Sequence, residues 1–538
     1  MNNCPNCNAE LEKGALSCES CGYEFESIAS HSAKKNFKHG RLLTIAIPVV
    51  AVILAVAIFL ISMSSSTEAS YANFGYFRDG ELFLSDFSAG AGDQVSEDFK
   101  EKNVLFSNYK DYVRMSNDGK KIFYVDNFDG SSYKLYYKNT SDLNKAYKIS
   151  SGIIIYDISD DGSIVTYTKN NGSLHQHNLS EQSDAIDVNV INYLVSDDGN
   201  TIVYQKRGEG DNSHLYDVYV SKNGKQGEKI LSSVSSVKHV SEDFATLYYI
   251  SENILYRVNI GKTPKKLAEN IRDVIAIYET GEMYFTKANE SGEASLYYFD
   301  GKKASDPIFN NFYRTESAST EKPVLAVYDS NNIERPFNIV IKDKSYIIDY
   351  DVSSITMNDA GTEIYFTAGF DVNTKLSKLY TAKIDNGLTK VKKVSDGVTY
   401  GKHLSGEKFI YVKDYDTASM VGTICVDDEE IAKNVNFNTM KYNKADGSIL
   451  YFSDVIEGSA KLYRYKNGKS QLIHESVFMN SLNVAEDGHY VFIADYYKTD
   501  GILYCANGEK LEKVDHDISE TFLIVSNEEY DAKARLGF

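Results

Sequence analysis

Asp160-Asp161-Gly162-Ser163-Ile164-Val165-Thr166-Tyr167-Thr168 is the stretch on which the fold of this chain is read. Asp-Gly supplies the positive φ that a tight hairpin turn requires. The residues after it alternate, with Val165 and Tyr167 on one face and Ile164, Thr166 and Thr168 on the other, the period of a β-strand. The same turn-plus-strand unit recurs as RDGELFLS at 78, NDGKKIFYV at 117, DDGNTIVYQ at 197, EDFATLYYI at 242 and ETGEMYFT at 279. It continues as EKPVLAVY at 321, DAGTEIYFT at 359, SGEKFIYV at 405, ADGSILYFS at 445 and EDGHYVFIA at 486, so that successive starts lie 37–46 residues apart. After most copies a second strand is built on Leu-Tyr, as in KLYYKN, ILYRVNIGK, SLYYFDGK and KLYRYKNGK.

A period near 40 made of short period-two strands predicts an all-β chain of β-propeller repeats, one four-stranded blade per repeat. Helical repeats of that length need apolar spacings of three and four, which these segments lack. The S-x-D-G-x-x-I-x-Y core resembles the TolB-like, or WD40-like, propeller repeat over most of residues 71–515. It departs from that family in carrying Asn117, Asp160, Asp197 and Glu486 where a proline usually precedes the Asp. The resemblance implies a scaffold and no particular activity. About eleven copies exceed the four to eight blades of common rings. Two propellers in tandem are therefore expected, at 71–320 and 321–538, with a single oversized ring as the alternative. The seam falls in the weakest repeat zone, 301–350, which holds Pro307, Pro323 and Pro336.

A different pattern precedes the repeats. Leu42–Met63, LLTIAIPVVAVILAVAIFLISM, is 22 residues without a charge, enough for a helix to cross the roughly 30 Å hydrocarbon core of a bilayer. Lys34, Lys35, Lys38 and Arg41 stand before it, and no basic residue follows until Arg78. That asymmetry places the N-terminus in the cytoplasm and the repeats outside, joined to the span by 64–70. A signal peptide does not fit, since its leading region would be far too long and its apolar run shorter, about 7–15 residues. Within 1–26, Cys4-x2-Cys7 and Cys18-x2-Cys21 are two thiolate pairs separated by ten residues, a donor set suited to tetrahedral zinc. These residues resemble the short zinc ribbons at the N-termini of many bacterial membrane proteins, with Asn8 in place of the first glycine. The resemblance carries the four ligands to Cys4, Cys7, Cys18 and Cys21, and a closed four-sulfur site is structural rather than catalytic. Residues 27–41 form a basic juxtamembrane linker resting on anionic headgroups.

The net charge is −19, and residues 1–41, with five basic and five acidic side chains, contribute none of it. An outer region this acidic repels nucleic acid. Cys425 and Cys505 are too few for a disulfide scaffold and read as buried small hydrophobes. No G-x-S-x-G elbow occurs, and His175 with His177, two apart on one strand face, reads as a solvated pair before a metal site. Binding on a propeller is usually built on variable loops. The loops between second and third strands are acidic, with Asp126, Asp129, Glu209 and Asp211 as the candidate ligand-binding residues. The expected function is a membrane-anchored extracytoplasmic binding module, not an enzyme, for a protein or envelope ligand. Its zinc ribbon contacts a cytoplasmic protein. The alternatives are a propeller-channel enzyme and a purely structural surface protein. A peptide of residues 1–41 is expected to bind one zinc through four thiolates and to unfold in chelator, because so small a module takes most of its folding free energy from the metal. Metal analysis and circular dichroism check this, and a peptide equally folded without metal contradicts it.

Overall fold

The computed structural model describes residues 2–3, 10–11 and 74–524, apart from 88–89, 97–111, 180–184, 290, 330–336, 404–407, 417, 420, 428, 457, 496–500 and 509. Cys4, Cys7, Cys18 and Cys21, the expected zinc ligands, and the apolar segment 42–63 lie outside the described residues. Among the described residues no helix is long and apolar enough to cross a membrane.

Each Asp-Gly copy begins the second strand of an antiparallel meander. In the unit around Ile164–Lys169, the preceding strand supplies Tyr156 opposite Tyr167, and Leu174–Asn178 pairs on the other side, with His175 opposite Tyr167. Blade follows blade in this way: 113–152, 153–187, 190–234, 236–268, 271–309, 312–348, 352–397, 398–434, 435–478 and 483–516, all of them β-propeller sheets. They are called here blades 2 to 11, and their strands a to d in chain order. Strand d often runs straight into strand a of the next blade, as in Asp142–Ile158, Lys392–His403 and Glu429–Asn443. At these crossovers one residue takes a left-handed conformation, Gly152 at φ 74°, Asn189 at 58°, Asn270 at 58° and Asn434 at 54°. Asn and Gly are the residue types that tolerate it.

The Leu-Tyr strands pack by aromatic pairs. Strands b and c set Tyr124 opposite Tyr136, Tyr204 opposite Tyr219, Tyr249 opposite Tyr256, Phe366 opposite Tyr380 and Tyr451 opposite Tyr463. The rings stack with centroids 5.2–5.7 Å apart. Such a pair contributes about 0.5–1.5 kcal/mol beyond its burial. In blade 3 the third-strand place is taken by His175, stacked on Tyr167 at 5.2 Å. In blade 9 it is taken by Cys425, opposite Tyr411 and buried. Cys505 is also buried, and its thiol, pushed up to about 11 by burial, donates to the Phe87 carbonyl.

Blade 1 joins the two ends of the repeat region. Phe74–Arg78, Glu81–Ser85 and Asp93–Ser96 supply three strands, and the fourth is the C-terminal half of Lys510–Leu523, with Tyr76 opposite Thr521 and Phe74 opposite Leu523. Blades 11 and 1 share an apolar core of Phe74, Tyr76, Phe83 and Phe87 with Val491, Ile493 and Leu503. Every other consecutive pair is bridged likewise. Between blades 2 and 3, fully buried Arg114 reaches Asp157 at 3.2 Å and the Tyr156 carbonyl, its guanidinium 4.3 Å from the Tyr156 ring centre.

The expected seam near residue 320 is packed like the other blade junctions. Tyr284 and Tyr298 of blade 6 share a core with Leu325, Val327 and Val340 of blade 7, and Tyr284 donates to the Pro323 carbonyl at 2.7 Å. Ala69–Phe538 is one compact unit. The repeat fades there for local reasons. Blade 6 replaces its regular fourth strand by the isolated bridges Leu296↔Phe309 and Phe299↔Ala304. Blade 7 replaces Asp-Gly by Lys322-Pro323, and the Ser319 hydroxyl accepts from the Glu321 and Lys322 amides instead.

Closure is held by one buried carboxylate. Asp515, 5% exposed, accepts from the Tyr76 hydroxyl at 2.9 Å and from Arg78 at 2.8 Å. Asp515→Ala strands both donors, and the expected loss is about 3–5 kcal/mol. Lys469→Ala, on an exposed turn of blade 10, should stay within about 0.5 kcal/mol. Urea unfolding of the two variants side by side decides it, and equal midpoints would refute the role of the clasp.

Candidate binding surface

The blades have two dissimilar faces. One carries the a–b and c–d hairpins. Its Asp-Gly turns are fixed by a repeated Ser-x-Asp device: Ser116, Ser159, Ser196 and Ser241 donate to Asp118, Asp161, Asp198 and Asp243 at 2.6–2.7 Å. Each aspartate also accepts a backbone N–H two residues on, from Lys120, Ser163, Asn200 and Ala245. The serine hydroxyl in turn accepts from the first amide of the next strand. Turns of neighbouring blades are stitched together, the Asn117 amide to the Asp160 carbonyl and the Asp160 amide to the Asp197 carbonyl, both at 2.8 Å. These carboxylates are acceptors already in use. At Asp118 burial opposes ionisation, but Lys120 and Ser116 outweigh it and hold the carboxyl down at about 2.

The other face consists of the b–c loops and the d-to-a crossovers, and all four sequence candidates fall on it. Asp126 accepts from the Ser96 hydroxyl of blade 1 at 2.7 Å and from the Asn127 amide. Asp129 closes its own loop, accepting the amides and hydroxyls of Ser131 and Ser132. The backbone and side-chain bonds from Ser131 lead the interactions that lower its carboxyl to about 2. Glu209 is exposed at the start of the short 3-10 turn Gly210–Asn212, on which Asp211 lies. The structure does not bring the four together: Asp126 and Asp129 stand on blade 2, Glu209 and Asp211 on blade 4, with blade 3 between them. Among the described residues no group of three or more His, Cys, Asp or Glu is placed to hold a metal ion.

The apolar character of this face was missed in the sequence reading. Among the described residues, ten large apolar side chains are exposed, and nine lie here: Ile154, Val188 and Ile191 at crossovers, Tyr313, Ile347 and Tyr350 around blade 7, Phe370 and Val372 in the blade 8 loop, and Ile456 in that of blade 10. Leu472 is the exception. The signal was present in AGFDVNTK and YIIDYDVS, where apolar residues occupy loop positions that the strand alternation does not use.

A cleft of about 820 Å3 opens on this face between blades 6 and 7, with Val274, Ile275, Ala294 and Phe312 as apolar lining and Arg272, Asp273, Glu293, Tyr313 and Arg314 among its polar groups. A second hollow, of about 550 Å3, runs between blades 1 and 2 from Asp126 to the c–d hairpin at Thr140, and a third, of about 680 Å3, opens on the hairpin face beside Gly119 and Lys120.

No protein-family model matches the sequence, and no curated protein matches it. Solved structures to which the chain is similar include that of a eukaryotic initiation factor, at 10% identity and TM-score 0.38, covering 76% of this chain and 97% of that one. The tricorn protease follows at 11% identity and TM-score 0.24, over 84% of this chain and 62% of that one. The β-propeller domain of the trilobed protease from Pyrococcus furiosus shows 15% identity and TM-score 0.24, over 61% and 96%. Likeness at this level assigns no activity.

The turn aspartates give a pH signature. Their folded-state carboxyls lie below the ordinary 3.8, as at Asp118 and Asp161. The stability they contribute is therefore complete above about pH 4 and is lost as pH falls through their lowered carboxyl range, about 2 at Asp118. Asp118→Asn, Asp161→Asn and Asp198→Asn together keep one acceptor oxygen each for the turn and remove the charge. Melting temperatures between pH 5 and pH 2 should fall less steeply in the triple variant than in the parent chain. Parallel curves would contradict the assignment.

Proposed function

We propose that this chain is a single-pass membrane protein whose outer part, one closed ring of eleven blades, binds a protein ligand through its loop face. The apolar segment 42–63 anchors it, with the basic residues 34–41 on the cytoplasmic side. Cys4, Cys7, Cys18 and Cys21 hold a structural zinc beside the membrane, where the ribbon contacts a cytoplasmic protein.

The observation that carries the reading is the one-sided distribution of exposed apolar side chains. Scattered surface apolar residues are ordinary. Nine of ten on a single face are not scattered, and grouped exposed apolar area marks interaction surfaces. The hairpin face is closed to such a role, because its carboxylates and hydroxyls satisfy their own turns. Binding is favoured over catalysis by what perturbs the groups: the lowered carboxyls belong to turns or to ion pairs with lysines, as at Asp118, Asp187 and Glu430, and the raised phenols of Tyr76, Tyr204 and Tyr284 are pushed up by burial in the core. The face remains acidic, so the ligand it suits is an apolar protein surface bearing basic groups.

The test uses the full chain in its membrane. Phe370→Ser with Val372→Ser should abolish cross-linking to outer partners while moving the melting temperature by no more than a degree or two, since both side chains are exposed. Leu472→Ser, off the face, should leave cross-linking intact. A cysteine at Ser65 should react with an impermeant thiol reagent from outside and one at Ser32 should not. Unchanged cross-linking in the double variant sinks the binding assignment, and labelling of Ser32→Cys in intact cells sinks the topology.

A further inference from the structure

We infer that the cleft between blades 6 and 7 is a binding site for a carboxylate set beside an apolar side chain, the chemistry of a polypeptide C-terminus, with Arg272 and Arg314 as the carboxylate holders. The inference rests on the reading of the loop face as the binding side.

Among the described residues Arg78, Arg114, Arg314 and Arg464 have an acid partner, and Arg207, Arg257 and Arg272 do not. Arg78 is spent on Asp515, Arg114 on Asp157 and Arg464 on Asp446. Arg272 is exposed, and its one hydrogen bond among the described residues is a long one, 3.4 Å, to the Gly292 carbonyl. Of the acids of the cleft, Asp273 takes Lys238 at 3.0 Å, while Glu293 accepts a long bond from the neutral Asn289 amide at 3.4 Å. Arg314 is tied to Glu316 through Nε and braced over Tyr313 and Tyr328, 5.7 and 5.1 Å from their ring centres. In a chain of net charge −19, two arginines converge on this hollow, and Arg272 has no carboxylate partner among the described residues.

The remaining lining narrows the ligand. The buried Thr315 hydroxyl oxygen has no hydrogen-bond partner among the described residues, although a hydroxyl both donates and accepts. A ligand carboxylate or amide can satisfy it. Val274, Ile275, Ala294 and Phe312 form an apolar floor, and Tyr313, 65% exposed, stands over the opening as an unfilled wall. A planar guanidinium fork matches a carboxylate with two parallel hydrogen bonds, which an ammonium cannot do. The floor takes the side chain next to that carboxylate.

Fluorescence anisotropy with the full chain in detergent tests this. The probes are fluorescein-labelled pentapeptides ending in Ala-Leu or Ala-Phe with free carboxylates, the same peptides as C-terminal amides, and a fluorescein-labelled trigalacturonate. Free-acid peptides should bind, amides at least tenfold more weakly. Arg272→Gln and Arg314→Gln should each weaken the acid peptides about tenfold, Arg272→Lys should recover only part, and Arg207→Gln should change nothing. Tyr313→Ala should lower affinity without shifting the melting temperature. Equal binding of acid and amide, no effect of Arg272→Gln in a folded variant, trigalacturonate binding in place of peptide, or no binding of any probe each overturns the proposal. If it fails while Phe370→Ser with Val372→Ser still abolishes cross-linking, the loop face stands and only the cleft is lost. If that double variant is silent too, the face itself is misassigned.

Discussion

Pairing between Phe74–Arg78 and the last turn-free stretch of Lys510–Leu523 is the constraint on which the remaining blades depend. Each blade leans on two neighbours, so an open row would leave two apolar faces in water, those of blade 1 and blade 11. Pairing the ends removes both at once, and the core of Phe74, Tyr76 and Phe83 with Val491, Ile493 and Leu503 is what it buries. The fit is close: a side chain at Gly75 would meet the Phe522 ring at 2.5 Å, so glycine is required by the approach of the strands. Closing a loop of more than four hundred residues costs little more entropy than closing one of a hundred, because the cost grows only with the logarithm of length. It is slow, however, since contacts this distant form late. The Tyr76–Asp515–Arg78 clasp acts on that last step.

The division of labour between the faces follows from hydrogen-bond accounting. A hairpin of two or three residues must satisfy its own amides, and the Ser-x-Asp device does so in at least four blades with the same three contacts. Side chains used in this way have nothing left for a partner. The b–c loops vary more, and in several of them too a side chain satisfies the loop's own amides, as Asn171, Asp371 and Asp416 do. Blade 2 is a further case, where Asp129 turns inward to organise its loop with Ser131 and Ser132. Acidic residues in a loop are thus no guide to an available charge until their acceptor oxygens are accounted for.

Much of this was legible in the residues. The Asp-Gly copies and their variants located the second strand of most blades, and the Leu-Tyr strands located the third in most, because turn chemistry and aromatic stacking are local and repeat with the chain. The serine two before each aspartate was readable in S-x-D-G as well. His175 and Cys425 were not interpretable alone: each stands where other blades place the second ring of a stacked pair, which only register reveals. Near residue 320 the sequence signal of the repeat is lost while the packing of the blades is not. Pro323 removes the Asp-Gly turn but leaves strand, core and neighbour contacts in place. The arginine cleft was out of reach, since Arg272 and Arg314 belong to different blades and nothing local links them.

The faded repeat and the cleft meet at one place. A repeat protein has one local solution for each turn and strand, and departures from it cost stability unless something else is gained. Here the departures concentrate in blades 6 and 7: a fourth strand reduced to two bridges, and a turn rebuilt around Ser319 and Pro323. The cleft with Arg272, Tyr313, Arg314 and the unpartnered Thr315 hydroxyl lies between these same two blades. A seam between domains would explain weak repeats but neither the shared apolar core across it nor two arginines in one hollow. Relaxation of the repeat for a binding site accounts for all three, because a site needs side chains that the repeating blade has no place for.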